Sequence, residues 1–513
     1  MKKMKAAGLV LFVLGLSVFT AIPFMGSYKL EAEHVIRSVK ESHQEVLVKE
    51  LEPVYNQPFN SNFSFIQALN NRLDAYNDTQ KADEAWGNVI WDDYSFLLAK
   101  AALNSPVKEK PWLFFMLSLG LAVLGALMYI LPKSRKSENI LNNKVFFSSM
   151  KNRGWLGILT GSYLILFYII LYWFPAYIVN LTLLFDPLSK MLSGNAASQW
   201  FLYGFIYTLA IVVMGIRMFK KYRGNAYQTL RTASVIFFQI AFAFLIPEIL
   251  MLFNKPWHDF KNIWPLDYTF FFDYRVDGMV NSGSLGMFML IWGIILILVG
   301  VPLMTYFFGK RWYCSWVCGC GGLAETLGDP YRQLSDKSLK AWKVERYMVH
   351  GVLVFAVVMT LLTIANYFSG FSLLGEATNQ LHALYGFLIG SAFAGVIGTG
   401  FYPLMGNRVW CRFGCPLAAY LGIVQRFKSR FRITTNGGQC ISCGNCSTYC
   451  EMGIDVRWYA QRGQDIVRAS CVGCGICSAV CPRGVLKLEN SGEQGRINEN
   501  PIIIGNNSIK LRD

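Results

Sequence analysis

Long apolar stretches alternate with short polar ones along most of this chain. Eight of them reach the length that a bilayer core of about 30 Å requires of a helix. They fall at about 7–25, 111–131, 155–179, 199–217, 233–252, 285–308, 347–367 and 383–405. Between the first two, residues 26–110 are polar. There HVIRSVKESHQEVLVKELEPVY and NFSFIQALNNRLDAY space their apolar positions as amphipathic helices do. The pattern predicts an all-α polytopic membrane protein followed by a polar C-terminal segment. Its parts are an N-terminal anchor (1–25), an outer, mainly helical segment (26–110), a membrane domain (111–432), a compact domain (433–490) and a tail (491–513).

Composition agrees with the membrane assignment: 53% of residues are hydrophobic and only 16% charged. The net charge of +16 would suggest nucleic acid in a soluble protein. Here topology accounts for it, and no nucleic-acid partner is expected. The connections 133–153, 217–231 and 310–346 hold eighteen Lys and Arg, whereas 181–198, 253–283 and 368–379 hold four. Positive loops stay inside. Both termini are therefore expected in the cytoplasm, with 26–110 outside, in a multi-pass protein of the bacterial inner membrane.

The chemistry lies in the thirteen cysteines, none of which falls in an outer segment. CISCGNCSTYC at 440–450 and CVGCGICSAVCP at 471–482 each read C-x2-C-x2-C-x3-C. In that spacing three thiolates grip one iron–sulfur cube and the fourth reaches a second. Cys440, Cys443, Cys446 and Cys481 are then expected to hold one [4Fe–4S] cluster, and Cys471, Cys474, Cys477 and Cys450 another. Gly444, Gly473 and Gly475 let the backbone fold tightly around them. Glu451 stands where the second run has Pro482. Zinc also takes C-x2-C pairs, but its sites usually join two short knuckles. A disulfide framework conflicts with the reducing cytoplasm.

A second motif repeats. GKRWYCSWVCGC (309–320) and GNRVWCRFGCPL (406–417) both follow apolar spans and share G-x-R-x-[YW]-C-x3-C. Cysteines four apart share a helix face. Two such helices would bring Cys314, Cys318, Cys411 and Cys415 together as a further redox or metal site, with Cys320 outside the repeat. A cluster, copper or a redox disulfide would each suit four thiols. Arg311 and Arg408 would stabilise thiolates or meet headgroups. The segment 321–346 reads as one interfacial helix presenting Lys337, Lys340 and Lys343. In the aromatic outer loop 253–283, Trp257, Trp264 and Tyr268 suit a headgroup belt. Glu248, beside Pro247 in the fifth span, is a candidate for proton or quinol chemistry. His350 and His382 border opposite membrane faces, so no haem is expected, and no nucleotide fingerprint occurs.

Over roughly 285–485 the chain resembles the NapH/NosR/CcoG group of membrane-bound polyferredoxins. The resemblance rests on the paired C-x3-C motifs followed by the two cysteine runs. It implies that 433–490 is a cytoplasmic α+β, two-cluster ferredoxin-like domain. The function it implies is electron supply to periplasmic reductases, or metal handling during oxidase assembly. Gly319 departs from the group's C-x3-C-P pattern. No flavin-attachment motif is found in 26–110, so no covalent FMN is expected, and the immunoglobulin-like domain of the CcoG type is missing. The expected function is iron–sulfur electron transfer between the cytoplasmic clusters, the membrane-boundary cysteines and either quinol or a periplasmic reductase system. That is the role of a quinol-linked oxidoreductase subunit in a multi-subunit redox system. The alternative is a copper-reducing or copper-handling assembly factor.

Overall fold

The computed structural model describes residues 2–90, 92–132, 154–375, 377–436, 439–490, 503–505 and 508–510. The basic loop 133–153 and most of the tail lie outside them. Among the described residues, eight helices are long and apolar enough to cross a membrane. They are Lys2–Phe24, Pro111–Ile130, Trp155–Trp173, Gln199–Lys221, Ala226–Leu252, Ser284–Phe308, Leu339–Phe368 and Ala377–Gly400. Each overlaps one predicted span. The fold is mostly helical, with three two-stranded antiparallel pairings. It divides into two compact units.

One unit holds the described residues of 1–134 and 166–209. Its first two spans pack backbone to backbone. A Cβ added to Gly15 would meet Ser118 O at 2.5 Å, and one on Gly8 would meet Gly125 O at 2.7 Å. Small residues permit such approach where lipid offers no hydrophobic drive. The polar segment holds helices at Ala32–Ser38, Glu41–Glu50, Asn62–Ala82 and Ser95–Ala102, the first periodic stretch being broken at the extended Val39. A short pairing of β1 (Ser27–Tyr28) with β2 (Leu103–Asn104) closes it. Leu30, Leu47, Leu51, Phe65 and Leu98 are fully buried, each contributing roughly 1.5–3 kcal/mol. Asn180 donates to Ile22 O and Met25 O, and Lys100 pairs with Asp186 at 2.8 Å. The segment 26–110 and the connection after the third span therefore lie together, as their common predicted side requires.

The other unit holds the described residues of 135–165 and 210–513. Its fifth and sixth spans contain wider turns at Gln239–Leu245 and Leu296–Gly300, just ahead of Pro247 and Pro302. A proline cannot donate to the preceding turn and crowds it, and local widening relieves both. Glu248 is half-buried directly after the first of these turns.

The loop 253–283 departs from expectation. Trp264 and Tyr268 do not form a surface belt; they run inside the bundle. Trp264 Nε1 donates to Thr360 Oγ1 of the seventh span at 3.0 Å. Tyr268 lies against Gly390 in the eighth, and Phe270 against Gly293 in the sixth. Of the three residues expected in the belt, Trp257 alone is exposed. Held by protein on several sides, the loop pairs Lys261 with Asp259 and Arg275 with Asp267, as irregular backbone within a helical bundle requires.

The segment 321–346 is not one interfacial helix. A helix Gly319–Thr326 is followed by a tight turn at Asp329–Leu334, and the seventh span then begins at Leu339. Gly328 and Pro330 break the predicted run. Residues 433–490 pack within this same unit. There β3 (Arg432–Thr435) pairs antiparallel with β4 (Leu486–Glu489), bracketing both cysteine runs. In the tail, β5 (Ile503–Gly505) pairs with β6 (Ser508–Lys510).

Candidate iron–sulfur sites

The two cysteine runs fold alike. Each places a glycine with positive φ, Gly444 at 76° and Gly475 at 75°, before a single helical turn, Asn445–Thr448 or Ile476–Ala479. Side chains other than glycine rarely adopt that backbone. Cys440, Cys443, Cys446 and Cys481 line one small cavity. Cys443 is exposed, so this group lies nearest solvent. Val485 N donates to Cys481 Sγ at 3.3 Å. Cys450 joins the other run: its charge acts on the thiols of Cys471 and Cys477. Cys446 also acts on Cys477, so the two groups adjoin.

The second run is docked by hydrogen bonds. Tyr227 Oη donates to Gly473 O, Gln228 Nε2 to Cys474 O and Ser315 Oγ to Val472 O, each at 2.7 Å. Gln425 Nε2 donates to Arg468 O and Cys471 O, and its Oε1 accepts from Lys310 N. Gln425 thus ties the end of the sixth span to the second run.

The four cysteines of the repeated motif are all buried in one cluster. Every pairing among Cys314, Cys318, Cys411 and Cys415 interacts electrostatically. They do not reach one another from a single helix face, as spacing suggested. Cys314 ends the short helix Arg311–Cys314, and Cys318 caps the next, Gly319–Thr326. Cys411 sits in the wide turn Trp410–Gly414, and Cys415 caps Pro416–Lys428. In both copies the second thiol accepts from the backbone N–H three residues on, Gly321 or Ala418. Helix N-termini favour negative charge there.

Burial pushes Cys314 up to about 12, and Cys446 and Cys471 up to about 11. Cys318 goes the other way, down to about 6: a hydrogen bond from Cys320 leads, helped by Gly321 N–H, Lys261 and Arg408. Cys320, outside the repeat, is therefore a fifth thiol of this group. A metal binding here would displace protons from the neutral thiols.

Between the Cys474 and Cys411 thiols lies a buried knot of charge that sequence reasoning missed. Glu325 accepts from Arg231, Arg332 and Arg408 at 2.6–2.8 Å. Glu451 accepts from Arg332 at 2.7 Å and pairs with Arg408 at 3.0 Å. Arg332 reaches Cys474 Sγ at 4.0 Å, and Arg408 reaches Cys411 Sγ at 3.7 Å. Burial raises Glu451 against the pull of Arg332 and Arg408. Burial also opposes ionisation of Glu325, yet three guanidiniums hold it well below the usual range. Glu325, Glu451 and Cys474 come close enough to hold a cation, but the guanidiniums already engage both carboxyl groups. The signals in the sequence were Glu451 breaking the proline pattern and Arg408, expected to stabilise thiolates, which does reach Cys411. Arg311 differs from Arg408: it stacks on Phe431 at 4.5 Å and bonds Asn490. His382 stacks on Phe272, and His350 bonds Arg346 O.

Family models align with these same residues. The family described as 4Fe-4S binding domain matches twice, at 290–338 and 386–434, once over each C-x3-C element. The 4Fe-4S dicluster domain matches 411–486. An Escherichia coli (strain K12) protein named for electron transport, YccM, is 26% identical over 166 residues, 29% of this chain and 43% of its own length. The methylamine utilization ferredoxin-type protein MauN of Methylobacillus flagellatus is 29% identical over 161 residues, 30% of this chain and 53% of its own. The chain spans about half the length of these curated relatives, and no solved structure matches it. Two kinds of 4Fe-4S domain, relatives with these names and eight apolar helices together support a membrane-linked, polyferredoxin-like protein of iron–sulfur electron transfer.

Proposed function

We propose that this protein passes electrons between a redox partner on the cytoplasmic side and membrane quinol or a periplasmic reductase system. We assign one [4Fe–4S] cluster to Cys440, Cys443, Cys446 and Cys481, and a second to Cys471, Cys474, Cys477 and Cys450. A third goes to Cys314, Cys318, Cys411 and Cys415. Such clusters supply reversible one-electron chemistry. The observation that carries the reading is the convergence of two distant C-x3-C elements, each matched by a 4Fe-4S binding domain, into one buried set of four thiols. The residues around them have their own tasks. The guanidiniums of Arg332 and Arg408 compensate thiolate charge at two sites from one rigid knot. Ser315 and Gln425 hold those sites in register. The exposed Cys443 marks where a soluble partner would meet the protein. The Lys and Arg bias of the loops supports the cytoplasmic placement of all three sites in a bacterial inner membrane.

The bilayer core is about 30 Å thick, so a partner across it needs a further carrier: quinol, a flavin or another subunit. The fifth thiol, Cys320, favours a second reading in which this group handles copper, since soft thiolates suit Cu(I). Anaerobic purification with iron, sulfide and copper analysis, and electron paramagnetic resonance of the reduced protein, tests both. Three clusters are expected in the wild type and two in Cys314→Ser and Cys411→Ser. Copper bound only by the wild type, with iron unchanged in the variants, would overturn the third assignment.

A further inference from the structure

The loop 253–283 joins the fifth and sixth spans at the end of the bundle remote from Cys314. The sixth span has 25 residues, about 37 Å at 1.5 Å per residue. Yet Tyr313 Oη donates to Lys261 O at 2.9 Å, and Tyr313 O accepts from Cys318 N at 2.8 Å. The loop therefore descends most of the bundle's depth and touches the frame of the thiol group. At its lowest point it carries an ion pair: Lys261 Nζ lies 3.0 Å from Asp259 Oδ2, and each side chain is 10% exposed. Burying two charges is costly unless they serve a purpose or are well paired. An apolar tip would plug the bundle with less penalty. Instead the Lys261 ammonium acts on Cys318 and Cys320, and the Asp259 carboxylate acts on the adjoining Tyr313.

We infer that Lys261, fixed through its backbone by Tyr313 and paired with Asp259, is a charge-compensating residue of the Cys314/Cys318/Cys411/Cys415 site and raises its reduction potential. The inference rests on the reading that this site holds a cluster. Gaining one electron adds one negative charge and moves no proton or bond. A nearby cation stabilises that added charge, and a nearby carboxylate opposes it. Lys261 thus adds from the loop to what Arg408 does, both acting on Cys318. The potential at one end of the bundle then depends on a segment anchored at the other.

The full-length protein, purified anaerobically, would be titrated potentiometrically with resonance detection, alongside iron and sulfide analysis. Lys261→Met is expected to shift the reduction equilibrium of the third component at least tenfold toward the oxidised form, 59 mV for a one-electron couple. Asp259→Asn is expected to shift it toward the reduced form, and Lys261→Arg to stay near the wild type. Iron content should hold in all three. Opposite signs at adjacent residues are a signature that mere loss of packing does not give. Unchanged midpoints at full iron content, or shifts of one sign in both Lys261→Met and Asp259→Asn, overturn the inference. If Lys261→Met loses iron, Asp259→Asn alone decides it. If Cys411→Ser keeps every wild-type component, the cluster reading falls instead, and the inference with it.

Discussion

Replacing Glu325 by glutamine keeps the shape of the side chain and removes the charge that three guanidiniums share. Arg231, Arg332 and Arg408 each donate to it within 2.8 Å, and its side chain is 5% exposed. At an effective dielectric of about 20, each charge pair at about 4 Å is worth roughly 4 kcal/mol before desolvation. Desolvation offsets much of that gain, but the loss on removing one partner is not offset, because Arg231 stays buried without its carboxylate while Arg332 and Arg408 are left to share Glu451. Measured cases of this kind cost about 3–5 kcal/mol. That would lower the apparent unfolding midpoint by roughly 5–10 °C, read by scanning calorimetry of the detergent-solubilised protein. Arg408→Gln should be damaging alone, while the Glu325→Gln, Arg408→Gln double variant should lose less than the sum, because the second change removes one stranded charge. The exposed pair of Arg37 and Glu33, at 3.0 Å, is the control, and its removal should not move the midpoint. If Glu325→Gln proves as mild as Arg37→Gln, or the double variant is strictly additive, the knot is not the structural element described above.

Three further outcomes follow from other parts of the fold. Gln425→Leu leaves Lys310 N, Arg468 O and Cys471 O without their partner; at about 1–3 kcal/mol for each stranded group, faster hydrogen exchange is expected around 468–472. Gly475→Ala must adopt a φ of 75° and meets Tyr227 at 2.9 Å, so iron content should fall and the second cluster's signal weaken, whereas Gly224→Ala, with open space around it, should keep both. Burial holds the Lys100 ammonium below its ordinary value of 10.5, against the pull of Asp186. The unfolded chain therefore binds this proton more tightly, so stability should rise with pH from the depressed value up to about 10.5 and be flat below it. Lys100→Met should remove that rise in denaturation curves taken across the range.

The spans were legible because hydropathy and length report directly on a solvent that is lipid. The cysteine groups were legible because the spacing within each run and within the repeated motif selects the thiols that can meet, and the fold gathers those thiols. The backbone route to them was not. Cys314 and Cys318 look like neighbours on one helix, but the chain breaks at Ser315 and starts a new helix at Gly319. Trp264 and Tyr268 carry the composition of a headgroup belt; only the packing of the sixth, seventh and eighth spans reveals that protein, not lipid, surrounds them. Glu325 lies in a polar connection where a carboxylate is ordinarily solvated. Its burial depends on Arg231 and Arg408 arriving from distant segments to join the nearby Arg332, which no local pattern encodes.

The thiol group of the repeated motif draws half its members from each of two elements that bracket the seventh and eighth spans. Neither half can be finished early. Cys314 and Cys318 leave the insertion machinery two crossings ahead of Cys411 and Cys415, so the nascent chain presents only half a ligand set until its last helix has been threaded. On the proposed assignment, loading at this site would be a late event in biogenesis, and a chain that stalls or inverts one crossing would stay empty there. Iron acquisition would serve the cell as a proofreading step for membrane insertion.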